Sequence, residues 1–458
     1  MGGDSLTPAA VGTSKGKGGV RVVGPKRRLE PDSACTVHKL RRRETGQQTA
    51  VSFTRRNASE RFRGFALQAE LDTFDAAMAE SLELTFLRKR SRILEIVAAA
   101  DVVFALCYSG LCAAFSRGTN KCICYLNTRQ DEAIRSLFYN KRNATLVTVS
   151  VFAADNYSSL KCRSTALDDI RTGQPERGVR LFQEEALSWP GFVEFDDING
   201  IVLTYSAQHR SYKVFDLGTY GLLYTLADTT IQEVKVSPGV LLLIKERQED
   251  EVPLAMRAIQ DRSLIQEFRH PLHPGKKLDF IEQFNEKLLV KQEDENLQIL
   301  DLQNGQLMEV SQTQFLTPTA FIFLYDNQLF LTFRNRTVAV WNFRGELVTS
   351  FEDHMLWHAD NHTNNIFITD NQELIISYCK EGHVNDRLFE PDVDLGTINV
   401  SNILSGRCLA KIRGSMAASR EAERTREALA DVTALFFNEE RNELFTGNKH
   451  GLLHMWAN

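Results

Sequence analysis

Tryptophan, methionine and proline are scarce in this chain, at 4, 7 and 11 of 458 residues, and no apolar run is long. The longest, residues 96–107, is interrupted by Asp101 and falls short of the roughly 20 residues a helix needs to cross a bilayer. The opening residues have no apolar h-region, which predicts no secretory signal. MGGDSL places Leu6 where a myristoylation signal needs Ser or Thr, which argues against lipidation. No membrane partner is expected.

Cysteine is present, but not in a chemical pattern. Without a secretory signal, eight cysteines read as reduced thiols. Cys107/Cys112 and Cys122/Cys124 lack the spacing of a zinc site. Cys122 and Cys124, two apart on a strand, are expected on one face as small core residues. Catalytic signatures are missing too: there is no GxxxxGK(S/T), GxSxG or HExxH, and no GxGxxG opening a helix. The acidic stretches DEAI, EFDD and KQEDEN are expected as solvated turns between strands. These gaps predict no enzyme, no catalytic residue, no cofactor and no metal.

What is present is an uneven charge. Residues 1–63 hold 14 Lys and Arg against 5 Asp and Glu, a balance of +9 in a chain of net −5, so the remainder carries −14. The first 63 residues are rich in Gly, Ser, Thr and Arg without apolar periodicity, and read as a disordered basic tail. Within them, Lys26, Arg27 and Arg28 precede Lys39, Arg41, Arg42 and Arg43. Two basic clusters on an extended segment suit two separated acidic grooves of an import receptor, which predicts a nuclear-import signal and location in the nucleus, with the cytoplasm second. No aromatics interleave with these charges, so nucleic acid is expected to bind weakly through the tail if at all.

Residues 64–84 change character. Leu67, Leu71, Phe74, Met78 and Leu82 recur at steps of four and three, which predicts an amphipathic helix packed on the following domain.

From residue 85 to 458 one pattern returns: apolar alternation, a small or Asp/Asn residue, a turn, and a second apolar run. It occurs at 111–126, 211–226, 253–268, 296–310, 337–351, 397–412 and 451–456, with a weaker copy at 159–170. Comparable positions are Ser116, Ser164, Asp216, Ala258, Asp301, Asn342, Asn402 and Ala457, spaced by 48, 52, 42, 43, 41, 60 and 55 residues. The two long spacings contain a polar insert at 380–396 and a charged one at 413–431, where insertion costs little. Four short strands at a period near 41–44 residues mark a propeller blade.

In these copies, and most closely in LFFNEERNELFTGNKHGLLHMW at the end, the chain resembles WD40-repeat proteins, near an uncharacterised group of transducin/WD40-like proteins from green plants. The expected fold is all-β, a WD40-like propeller of seven or eight four-stranded blades. Counting third strands gives eight, while seven is commoner in that family. Only Trp341 and Trp456 occupy the family's closing Trp position, neither followed by Asp, so apolar packing is expected to hold most blades. The resemblance also implies a clasp, in which a strand preceding the first blade, such as 81–89, completes the last one and covers its open edge.

His354, His358 and His362, at steps of four beside Asp360, would share a helix face and could hold a metal. They fall in a link between blades, where the resemblance implies a structural His. WNFR at 341–344 is similar to the WDxR turn by which some WD40 proteins dock onto a cullin-RING ligase adaptor. Trp341 and Arg344 are the candidate adaptor contacts, with Asn342 in place of Asp. The leading expectation is a non-catalytic protein–protein interaction scaffold whose acidic body favours partners with basic surfaces. The second is a substrate receptor of such a ligase.

Overall fold

The recurring alternation becomes strands, and the strands hydrogen-bond in fours. The computed structural model describes residues 60–76, 90–318, 320–334, 337–352, 354, 365–380, 396–415 and 417–458. Within them lie eight four-stranded antiparallel sheets, the blades of one propeller ring. Blades 1 to 7 are built from residues 93–125, 132–181, 192–226, 231–271, 278–310, 320–351 and 366–413, each in strict chain order. The blade number is therefore eight. The weak copy at 159–170 supplies Lys161–Ala166, the third strand of blade 2.

Third strands end at Ser116, Asp216, Ala258, Asp301, Asn342, Asn402 and Ala457, the positions read from the repeat. Their Asp and Asn side chains close the turn that follows. Asp216 Oδ1 accepts from the Thr219 N–H at 2.7 Å, Asp301 Oδ1 from Gln303 at 2.9 Å, and Asn402 Oδ1 from Ser405 at 2.9 Å. The charged insert becomes the helix Arg420–Leu429, capped where Ser419 Oγ accepts from the Ala422 N–H at 3.1 Å. Residues 381–395 of the polar insert lie outside the described residues.

Apolar clusters fill all eight interfaces between blades. One of them joins blade 8 to blade 1 through Ile93, Ile96, Val103 and Phe115 on one side and Ala434, Phe445, Leu453 and Met455 on the other. The backbones approach closely there: a Cβ on Gly447 would lie 2.6 Å from Ile93 Cβ. Thr433 Oγ1 donates to the Ile93 carbonyl at 2.5 Å, and Arg117 pairs with Glu443 at 2.5 Å.

Blade 8 has three strands from 432–457 and takes its fourth from Ala66–Asp72, antiparallel to Leu452–Ala457. This strand replaces the first part of the helix expected over 64–84, of which residues 77–84 lie outside the described residues, and it closes the ring earlier in the chain than the expected 81–89, which also lies outside them. A short helical turn at 60–63 precedes the strand. The four-residue step from Leu67 to Leu71 misled because it satisfies a two-residue period as well as a helical one. A bulge between Leu67 and Ala69 then shifts the phase, so that Leu67 opposes Trp456 while Leu71 opposes Leu453. Leu67 thus packs toward blade 7 and Leu71 toward blade 1. The clasp strand is gripped from both sides.

A bulge corrects a second expectation. Cys122 opposes Phe115 and Cys124 opposes Ala114, so these thiols enter different clusters on opposite faces. Burial pushes both thiols up to about 12. No helix among the described residues is long and apolar enough to cross a membrane.

On the first strand of blade 1, Glu95 accepts from the Leu137 N–H of blade 2 at 3.2 Å. Burial pushes its carboxyl up from 4.5 to about 7, against the pull of that hydrogen bond. The folded protein holds this proton more tightly than the unfolded chain does. Stability from Glu95 is therefore complete below about pH 4.5 and is lost as pH rises through about 7. Glu95→Gln should raise the melting temperature by about 2–4 °C at pH 8, with the gain shrinking toward pH 5. A pH series of thermal melts checks this, and an equal effect at both ends would refute it.

Closure yields another test. Deletion of residues 1–59 should leave the melting temperature unchanged. Deletion through Asp72 should lower it by about 10 °C or more, or yield insoluble protein, because it exposes a strand edge and opens both flanking clusters. Equal calorimetric midpoints would mean that the strand does not close the ring.

Candidate functional site

The predicted import residues, Lys26, Arg27, Arg28, Lys39, Arg41, Arg42 and Arg43, lie outside the described residues. The predicted adaptor contacts are brought to one turn but differ in access. Trp341 is 5% exposed, and its indole N–H donates to Thr332 Oγ1 at 3.0 Å while the ring packs on Phe315 and Phe330. Arg344 is exposed. Between them Asn342 Oδ1 accepts from the Arg344 and Glu346 N–H groups at 2.9 and 3.0 Å, closing the turn as an aspartate would.

A matching bond in blade 8 runs from Trp456 Nε1 to Thr446 Oγ1 at 2.9 Å. Blade 7 solves the same packing problem differently. Ser401 opposes Ile375 as Trp341 opposes Phe330, so a hydroxyl stands where the indole would be. His354 fills the gap, with Nδ1 2.5 Å from Ser377 Oγ and Nε2 2.7 Å from Ser401 Oγ. Both ring nitrogens are engaged, so His354 is structural; His358 and His362 lie outside the described residues.

A cavity of about 480 Å³ opens against the first strands of blades 3 to 6. Three of these strands break their apolar alternation with polar residues: FVEFD at 192–196, IQEVKVS at 231–237 and LDFIEQF at 278–284. Glu194, Glu233 and Glu282 reach the cavity with one cation, Lys235. The Lys235 ammonium lies 2.8 Å from Glu233 and 2.8 Å from Glu282. Burial acts to lower its pKa, but the two carboxylates outweigh that and hold it above the usual lysine value.

Glu194 is different. The residue is exposed, and among the described residues its carboxylate has no ion pair or hydrogen bond; partial desolvation followed by Asp196 pushes it upward, with Lys235 pulling back. Phe192, Tyr212, Phe323 and Tyr325 supply apolar wall. Tyr325 stacks on Phe284 at 4.8 Å, and its hydroxyl is pushed up by burial and by Asp196, Glu282 and Glu194. Gln283 also lines the cavity. It is 3% exposed and donates to the Asn285 carbonyl at 2.9 Å, while its Oε1 is buried without a partner among the described residues.

None of these cavity residues stood out in the sequence. EFDD was expected as a solvated turn, but Glu194 to Asp196 belong to a first strand. Glu132 of DEAI is likewise in a strand, buried, and accepts from the Ser150 hydroxyl at 2.7 Å. The available signal was polar residues at alternate positions in strands one repeat apart. Their meeting in one cavity is a property of the ring.

Other exposed aromatics gather on blade 2. Tyr157, in the loop between its second and third strands, is 49% exposed, and Trp189, in the link to blade 3, is 84% exposed. The Trp189 N–H donates to the Ser158 carbonyl at 2.8 Å, and the Leu160 N–H donates to the Leu187 carbonyl at 3.0 Å. Buried Leu187 anchors the link.

Among solved structures, the computationally designed Ika8 protein is 16% identical, with a TM-score of 0.48 over 81% of this chain and 97% of its own. BamB from Moraxella catarrhalis is 13% identical, with a TM-score of 0.46 over 86% and 100%. No curated protein matches. One family matches residues 50–456, a span that takes in the clasp strand and all eight blades, and it is described as "Domain of unknown function (DUF7899)". The chain belongs to this family.

Proposed function

We propose that the protein is a non-catalytic protein–protein interaction scaffold that works in the nucleus, with the cytoplasm as a second location. The observation that supports the interaction reading is Trp189, held in water on a tethered loop beside Tyr157. Leaving a large ring exposed forgoes roughly 1.5–3 kcal/mol of burial, and a rigidly mounted tryptophan is the residue type that anchors interfaces. Trp189→Ala should keep the melting temperature and lose the proteins that co-purify with the wild type. Equal recovery would overturn the reading. Nuclear location rests on the two basic clusters of the tail. Residues 1–63 fused to a fluorescent protein should carry it into the nucleus, and Arg41, Arg42 and Arg43 changed to Ala should release it.

The Trp341–Thr332 and Trp456–Thr446 bonds support kinship with WD40-repeat proteins, while the grouping near those of green plants rests on the sequence resemblance alone. They also keep the second reading, a cullin-RING substrate receptor, because buried Trp341 presents an exposed Arg344 on a closed turn. Arg344→Ala should move stability by no more than about 0.5 kcal/mol. A receptor would lose its adaptor in co-precipitation, whereas a scaffold would show no adaptor in either form.

A further inference from the structure

Each blade ends outward in a strand with one free edge, and among the described residues blade 4 has the longest. Leu264–Pro271 runs eight residues, six of them exposed, against three to seven residues in the outer strands of the other blades. A long bare edge is a template for another strand. Its register on Glu251–Ala258 decides which groups it offers. The Leu272 N–H donates to the Asp250 carbonyl at 2.6 Å, so in the alternation of an antiparallel ladder His270, Phe268 and Gln266 bond inward to Val252, Leu254 and Met256. Glu267 and Arg269 fall between them, with N–H and C=O groups directed away from the sheet.

These two residues share a face and carry opposite charge. Glu267 lies 3.1 Å from Lys245, and Arg269 lies 3.5 Å from Glu251. Their side chains are 54% and 64% exposed, so each keeps an open side for a further partner. When such an edge pairs antiparallel with its own copy, the contact is two-fold and self-complementary. Centred on Phe268, the pairing sets each Glu267 opposite Arg269 of the second copy. It also joins outward-facing backbone groups to one another, as a ladder requires. Centres at Glu267 or Arg269 would oppose like charges, which is destabilising. Exposed Leu264 and Ile265 then meet the Pro271 end of the second copy, where the missing N–H stops the ladder.

We propose that the protein forms a two-fold dimer through Leu264–Pro271, as an antiparallel strand pair centred on Phe268. Charges alternate across the joint: Lys245 and Glu267 of one copy continue into Arg269 and Glu251 of the other. The dimer goes beyond the scaffold reading and uses none of its residues. It would carry the Trp189 loop twice, so a partner with two sites would be held by both.

Sedimentation equilibrium of the full chain from about 1 to about 100 µM tests this. The wild type should approach twice the monomer mass at the upper end. Glu267→Arg and Arg269→Glu should each stay monomeric, because each sets like charges opposite one another. Both substitutions are on an exposed edge, so the melting temperatures should stay within a few degrees of the wild type. Mixed in equal amounts, the two variants should dimerise, since every contact between positions 267 and 269 then joins opposite signs. A wild type that stays monomeric would overturn the proposal and leave the edge to a strand from a different protein. A dimer that persists in both single variants would place the contact elsewhere and overturn it as well. So would two variants that stay monomeric when mixed, because charge pairing would not be what joins the copies.

Discussion

Backbone hydrogen bonds between Ala66–Asp72 and Leu452–Ala457 join two segments far apart in the chain, and the ring depends on that pairing. Seven blades are local, each made from strands consecutive in the chain, and each could form its hydrogen bonds alone. A blade cannot bury its two apolar faces alone. Each face needs a neighbour, so the stack must close or leave one face in water. The clasp strand supplies the missing edge of blade 8, and its bulge sends Leu67 and Leu71 into the clusters on either side. One strand therefore secures a sheet and two interfaces.

Within that frame the blades hold together by different means. Apolar clusters act at every interface, and polar bonds are added where a side chain would otherwise be buried unpaired. Trp341 and Trp456 each find a threonine on the adjacent strand. Blade 7 has serine in place of both, and the imidazole of His354 restores volume and hydrogen bonds together. Where blade 1 meets blade 2, Asn127 and buried Glu132 do comparable work, with the Asn127 amide donating to the Gly110 and Glu132 carbonyls at 2.9 and 3.0 Å. The architecture tolerates this variety because it asks only for filled volume and satisfied donors.

The central cavity follows from the same geometry. First strands are the innermost of each sheet, so their polar residues cannot all be covered by a neighbouring blade. Blades 3, 4 and 5 bring glutamates there, and Lys235 offsets only part of their charge. Desolvation and mutual repulsion then act on Glu194 and Tyr325, whose protons are held more firmly than in water.

Much of the fold was legible in the sequence because it is local. Strand alternation, Asp and Asn at turn positions, and the repeat period each depend on residues within a few positions of one another, which is why seven of the eight third-strand ends were readable, while Ser164 falls two residues short of the end at Ala166. Charge asymmetry and the basic clusters are compositional, and needed no structure either. The clasp was legible as a requirement but not as a location. A step of four fits a helix and a strand equally, and only pairing with Leu452–Ala457 decided for the strand at 66–72. Bulges were invisible for the same reason, since one inserted residue reverses which face Leu71 or Cys124 occupies without changing composition. The cavity belongs wholly to the tertiary structure. Glu194, Lys235 and Gln283 lie in three successive blades, and only the packing of those blades brings them to one cavity.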